Sequence, residues 1–253
     1  MIHAEVTVGD LAARVPGADR VFEKLGIDYC CGGSHSLREA CLEAHASLSE
    51  ALALLERAEA ESAAIDHPAP AATLGLGPLL AHILETHHRP TWIALARLDA
   101  LAAKVAQVHE ACHPELRRVS ELTAELRREL EAHMRKEENV LGPPRVPRPD
   151  GAGGAGAGAW RAPPFGTAQN PIRCMLAEHD STGSVLRQLR TVSGGYQVPG
   201  DACASYRALY EGLEDLEADI HQHIHLENNV LFPRALGLES QARDAASQKE
   251  IPS

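Results

Sequence analysis

Aromatic side chains make up only 4% of the 253 residues: three Phe, four Tyr and two Trp. Ala, Leu, Glu and Arg dominate instead. That composition suits helices and works against β-sheets, which draw on β-branched and aromatic residues. Basic charge is also scarce. The 24 Lys and Arg face 35 Asp and Glu, a net charge of −11, which excludes the counterion-displacing surface that non-specific nucleic-acid binding needs. No apolar run reaches the roughly 18 residues of a membrane-spanning helix. The start, Met1-Ile2-His3-Ala4-Glu5-Val6, lacks the basic-then-apolar order of a signal peptide. These absences predict a cytoplasmic protein with neither a nucleic acid nor a membrane as partner. Six cysteines do not make a secreted disulfide framework in a chain of this size. Cys41, Cys112, Cys174 and Cys203 are scattered and read as small buried hydrophobes, whereas Cys30 and Cys31 are adjacent.

What is present predicts an all-α fold in two parts. Residues 1–66 read as a small helical domain. Val8–Val15 and Ala18–Leu25 are short amphipathic stretches, and Gly26 is placed to stop the second. A turn, Asp28-Tyr29-Cys30-Cys31-Gly32-Gly33, follows; Ser36 can cap a third helix to about His45, and residues 46–64 continue as helix. Asp66-His67-Pro68-Ala69-Pro70 breaks the pattern. Residues 67–240 then carry four long helical stretches, near 76–106, 115–141, 170–192 and 201–232, and 241–253 read as a flexible C-terminal tail. Glycine and proline concentrate at 142–171, a crossover that an up-down-up-down bundle tolerates on its surface. Leu80, Leu84, Leu95 and Leu98 mark the apolar side of the first long helix, and Pro90 predicts a kink near Thr86.

The second and fourth helices end in near-duplicates. One reads His133-Met-Arg-Lys-Glu137-Glu-Asn-Val-Leu, the other His223-Ile-His-Leu-Glu227-Asn-Asn-Val-Leu. Residues four apart share a helix face, so each segment offers an imidazole and a carboxylate to one point. A lone His-x-x-x-Glu is common on solvated helices. Here, however, each copy extends an apolar stripe: Leu116, Val119, Leu122, Leu126 and Leu130 lead to His133, and Leu209, Leu213, Leu216 and Ile220 lead to His223. Both pairs therefore point into a core, where an uncompensated charge is very costly. His88 lies 45 residues before His133, and His179 lies 44 before His223. Four imidazoles and two carboxylates form the donor set of two irons. With both glutamates bridging they fill eight of about twelve positions, and an oxo or hydroxo bridge fills two more. About one vacancy per metal remains for O2, NO or peroxide. On helix geometry alone His87 competes with His88, and His82, His109, His113, His221 and His225 read as surface or supporting residues. For Cys30-Cys31 a reactive or metal-holding pair exposed by Gly32-Gly33 stands against a structural role.

The segments Asp28-Tyr29-Cys30-Cys31-Gly32-Gly33, His133-Met-Arg-Lys-Glu137-Glu138 and His223-Ile-His-Leu-Glu227-Asn-Asn-Val-Leu-Phe-Pro-Arg, in this order, resemble the Repair of Iron Centres (ScdA/YtfE) family of di-iron cluster repair proteins. The resemblance implies a cysteine-bearing N-terminal domain and a hemerythrin-like four-helix bundle. It implies iron ligands at His88, His133, Glu137, His179, His223 and Glu227, with His82 six residues before His88 favouring His88 over His87. His109 matches a further family histidine near the site. One departure is Leu141-Gly142-Pro143, where the family usually has Leu-Phe-Pro. The implied function is repair of iron–sulfur clusters damaged by nitrosative or oxidative stress, by supplying iron, with damaged iron–sulfur proteins as partners. The alternatives are nitric oxide reduction at a diferrous centre and hemerythrin-like binding or sensing of O2 or NO. The oligomeric state, a homodimer included, stays open, as does whether NO is turned over.

Overall fold

A computed structural model describes residues 2–63, 70–140 and 167–249. The break at 66–69, the 142–166 part of the crossover, Leu141-Gly142-Pro143 and the last four residues lie outside them. Every named element among the described residues is helical, as the composition predicts.

The N-terminal part is built from four helices: α1 (Val8–Arg14), α2 (Ala18–Leu25), α3 (Leu37–Glu43) and α4 (Leu48–Ala63). Local chemistry sets their ends. Thr7 Oγ1 accepts the Asp10 amide at the start of α1, Gly26 stops α2 in the left-handed region, and Ser36 with Glu39 closes a capping box on α3. A short antiparallel bridge between Thr7 and Ser36 ties α1 to α3. Val8, Leu11, Phe22, Leu37 and Leu55 fill the space between these helices.

The bundle follows: α5 (Leu76–Ile83), α6 (Arg89–His109), α7 (Glu115–Val140), α8 (Gln169–Val192), α9 (Ala204–Leu226) and α10 (Phe232–Lys249). α7 packs between α6 and α8, and α9 lies against α6. The stripes Leu116–Leu130 and Leu209–Ile220 are buried as predicted. α10 continues as helix through 241–249, where the sequence predicts a flexible tail.

Two π-turns interrupt these helices. Leu84–His88 joins α5 to α6, and Glu227–Leu231 joins α9 to α10. Each is followed by a proline, Pro90 and Pro233. Proline's ring clashes with the carbonyl four residues back. A π-turn inserts one residue into the helical ladder and moves that carbonyl away, with Arg89 and Phe232 donating five residues back to Leu84 and Glu227. Where the sequence predicts a kink near Thr86, the helix instead takes up an inserted residue in this turn. It also shifts the register: the buried residues before it are Leu79 and Ile83, while Leu80 and Leu84, the predicted stripe, are only half-buried.

The N-terminal helices dock on the second π-turn. Asn229 Nδ2 donates to the Tyr29 and Cys30 carbonyls at 3.2 and 3.1 Å. His221 meets Glu23 at 2.6 Å, and Gln222 meets Asp19 at 2.6 Å. Gly9 and Gly33 leave room for this seat. A Cβ at Gly33 would collide with the Asn229 amide, and one at Gly9 would lie 2.9 Å from it. Gly33→Ala should therefore destabilise the chain by about 1–3 kcal/mol, and Asn229→Ala should cost about as much through its lost hydrogen bonds. Because the clash vanishes once Asn229 is gone, the double variant should lose at least about 1 kcal/mol less than the sum in a urea-unfolding cycle. Strict additivity would show that Gly33 does not sense Asn229.

Candidate metal centre

The first π-turn ends in His88 and the second begins in Glu227, so the two irregular turns set the approach of two donors to the bundle axis. His133 and Glu137 come from the last turns of α7, His179 from α8 and His223 from the end of α9. None of the six is more than 3% exposed.

Their atoms converge into two groups. His88, His223, Glu137 and Glu227 have one ligand atom each within 4.8 Å of one another, and so do His133, His179, Glu137 and Glu227. Both glutamates belong to both groups. The imidazoles pair across the duplication, so neither helix–loop–helix unit completes a group alone. His88 Nε2 lies 3.3 Å from Glu137 Oε2 and 3.2 Å from His223 Nε2. His179 Nε2 lies 3.2 Å from Glu227 Oε2 and 3.0 Å from His133 Nε2.

These contacts call for a cation. Three of the ring Nδ1 atoms face oxygen acceptors: His88 meets Glu138 at 3.1 Å, His133 meets Glu178 at 2.9 Å and His179 meets Asn228 at 2.7 Å. With Nδ1 donating, a neutral ring turns the lone pair of Nε2 inward. Facing lone pairs repel unless a positive charge lies between them. Both Glu137 oxygens and Glu227 Oε2 are buried without a hydrogen-bond donor, a cost that a metal removes. Burial favours the neutral acid at Glu227, but His223 and His179 outweigh it and hold the carboxyl well below its usual range. Burial likewise disfavours charge on His133, yet Glu137, Glu227 and Glu178 raise it to about 9. Both directions describe a pocket whose field favours positive charge: a proton on the His133 ring meets it without a metal, and a bound cation would take that proton's place on the inward Nε2. Imidazole and carboxylate donors suit iron, manganese or zinc.

His87 is buried but stays outside both groups. Its Nδ1 meets Asp219 at 2.8 Å, and its ring stacks on His223 with centroids 5.9 Å apart. His225 is buried against Tyr29 rather than on the surface. His109 lies a full helix away from the centre, 3.2 Å from Cys203 Sγ. The resemblance implied a place near the site, and the length of α6 removes it. Phe232 stacks on His179 with centroids 6.0 Å apart, which gives the Leu-Phe-Pro of the second copy its role.

The residues that fix the ring tautomers were not found from the sequence. A signal existed: Glu138 and Asn228 both follow the glutamate of a duplicated motif, and each holds the histidine of the preceding helix. Glu178 also pairs with Lys136 and borders, with His133 and Thr182, a cavity of about 380 Å³ between α7 and α8.

Among the cysteines, Cys41 is buried, but Cys112, Cys174 and Cys203 are exposed, contrary to the reading of all four as core residues. Cys30 is buried and Cys31 half-buried, so Gly32-Gly33 does not expose the pair as expected. The neighbouring Cys31 thiol, burial and Asp28 push Cys30 well above its ordinary pKa, which makes it a thiol at neutral pH rather than a reactive thiolate.

No helix among the described residues is long and apolar enough to cross a membrane. The sequence matches the Hemerythrin HHE cation binding domain over residues 79–235, and the ScdA_N domain, a Domain of Unknown function (DUF542), over residues 4–59. The first match makes the bundle a non-haem iron-binding domain. The chain is 35% identical over 241 residues to the iron-sulfur cluster repair protein YtfE of Pectobacterium atrosepticum, covering 93% of this chain and 99% of the relative. It is 32% identical over 240 residues to YtfE of an Escherichia coli strain, covering 94% and 100%. A probable iron-sulfur cluster repair protein of Haemophilus influenzae is 31% identical over 242 residues, covering 93% and 99%.

Proposed function

The chain belongs to the YtfE family of iron–sulfur cluster repair proteins, and from that premise we propose that it repairs damaged clusters in the cytoplasm by releasing iron from a two-iron centre. The observation that carries this reading is the sharing of Glu137 and Glu227 between two donor groups. His88 and His223 would hold one iron and His133 and His179 the other, with both carboxylates common to the pair. Two irons bound there would supply exchangeable ferrous iron and the capacity to bind NO or O2.

The chain's own groups do the rest. Glu138, Glu178 and Asn228 orient three of the four rings. Leu122, Leu126, Leu130, Leu216 and Ile220 keep water from the bundle below the site. A surface cavity between α7 and α8 borders His133, with Lys136 and Glu178 on its wall, and on this reading it is the side from which iron or a small molecule approaches. The relatives are named for cluster repair, which favours repair over nitric oxide reduction or plain gas binding. Iron–sulfur proteins are the targets that repair implies.

The iron-loaded chain should give a Mössbauer spectrum of two coupled irons. His88→Ala should collapse it, whereas His87→Ala should alter it only slightly, because His87 stands outside both donor groups and stacks on the ring of His223. A large effect at His87 with a small one at His88 would show that the first π-turn rotates the helix by one residue. A spectrum of one isolated iron would rule out the shared carboxylates.

A further inference from the structure

Asp28, Cys30 and Cys31 carry three donors that the bundle does not use. One ligand atom from each lies within 4.8 Å of the others. The two Sγ atoms are 4.0 Å apart, and Cys30 Sγ lies 3.4 Å from Asp28 Oδ1. Bond lengths of about 2.3 Å to sulfur and about 2.1 Å to oxygen place two tetrahedral thiolates roughly 3.8 Å apart and a thiolate and a carboxylate oxygen roughly 3.6 Å apart. A disulfide would need about 2.05 Å. In the loop as it stands these distances are thiol hydrogen bonds, and they are close enough to co-ligand spacing for one ion to replace the thiol protons without moving the backbone.

The loop is built to hold this spacing. Asp28 Oδ1 accepts the amides of Cys31 and Gly32 at 2.9 and 3.0 Å, which fixes the carboxylate beside the thiols. Gly32 makes that turn possible, since a Cβ there would lie 2.6 Å from the Asp28 carbonyl oxygen. The loop also touches the iron site. His179 Nδ1 donates to Asn228 Oδ1 at 2.7 Å, and Asn228 Nδ2 donates to the Cys30 carbonyl at 3.3 Å. Cys31 Sγ rests beside Gly183, one turn beyond His179 on α8, 3.8 Å from where a Cβ would be.

We propose that Asp28, Cys30 and Cys31 form a second metal site, which takes one thiophilic divalent cation through two thiolates and one carboxylate. Binding releases the two thiol protons and forms two metal–sulfur bonds and one metal–oxygen bond. A fourth position stays open toward solvent or an acceptor. Two sulfurs and one oxygen favour zinc or ferrous iron over magnesium or calcium. On the reading of the preceding subsection, the cargo is ferrous iron leaving the bundle one turn away, but the site itself does not depend on that reading.

Anaerobic titration of the full-length, iron-loaded chain with Co(II) tests it. Thiolate-bound Co(II) gives near-ultraviolet charge-transfer absorption that a histidine–glutamate site lacks. The band should grow to one Co(II) per chain and persist when Cys112, Cys174 and Cys203 are all serine. It should lose about half its intensity in Cys31→Ser, and Asp28→Asn should weaken Co(II) binding by about tenfold or more. No band, or a band that survives Cys30→Ser with Cys31→Ser, overturns the site. Either result would leave the bundle's iron spectrum untouched. Loss of that spectrum with the cobalt band intact would instead defeat the two-iron reading and spare this one.

Discussion

Alanine at Glu137 or at Glu227 should remove both irons of the proposed centre, whereas alanine at His179 should remove close to one. The reason is the sharing of donors. Each glutamate belongs to both ligand groups, and each histidine to one. Deleting a terminal imidazole leaves its partner group complete. Deleting a shared carboxylate opens both groups and also removes the negative charge that holds the cations against four buried imidazoles. Ligands of this kind bind metal as neutral imidazole and ionised carboxylate, so the charge loss falls directly on affinity. The helices should survive, because Leu116, Val119, Leu122, Leu126 and Leu130 on α7 and Leu209, Leu213 and Ile220 on α9 are buried independently of the metal. Iron per chain, measured beside far-ultraviolet helicity, is the check. A loss of only one iron in both glutamate variants, with helicity kept, would make the carboxylates terminal ligands. Unchanged iron in both would place the centre elsewhere.

The bundle and its inward-facing polar pairs were legible because they repeat a simple period. An apolar residue every three or four positions continues without a break into His133 and Glu137, and into His223 and Glu227, and a buried stripe that ends in charge announces a site. The period also misled. Carried back from Leu95 and His88, it selects Leu84 and Leu80, whereas the π-turn adds one residue and brings Leu79 and Ile83 inward. Pro90 signalled a disturbance but not its kind, since a kink and an inserted residue both relieve the same clash. Cys112, Cys174 and Cys203 were misplaced for a different reason. Cysteine is usually buried, but its average tendency says nothing about which helix face or loop a given thiol occupies. The docking of the N-terminal helices rests on Asn228, Asn229 and His221, side chains with no periodic signature whose partners lie some two hundred residues away in the chain.

Serine at both Cys30 and Cys31 should leave the iron content and spectrum of the bundle unchanged, yet slow the recovery of a nitric-oxide-damaged 4Fe–4S dehydratase by about tenfold or more, since even outer-shell changes at a metal site cost about that much in affinity or activity. The first half follows from which atoms connect the two sites. Asn228, which orients His179, contacts the backbone carbonyl of Cys30 and not its sulfur. Serine keeps that carbonyl and is close to cysteine in size, so the tautomer of His179 is preserved. The second half follows from what serine removes. A neutral hydroxyl binds ferrous iron far more weakly than a thiolate, so iron released as proposed would lose its paired-thiolate acceptor. Repair at the wild-type rate would make the pair structural, with iron delivered through the cavity at His133 instead. Loss of bundle iron in the same variant would mean something else. Cys30 packs among the buried residues of the bundle core, beside the cluster that contains Met134 and Val185. Its sulfur would then help shape the centre mechanically, and the N-terminal helices would form part of the iron site's wall rather than a separate acceptor.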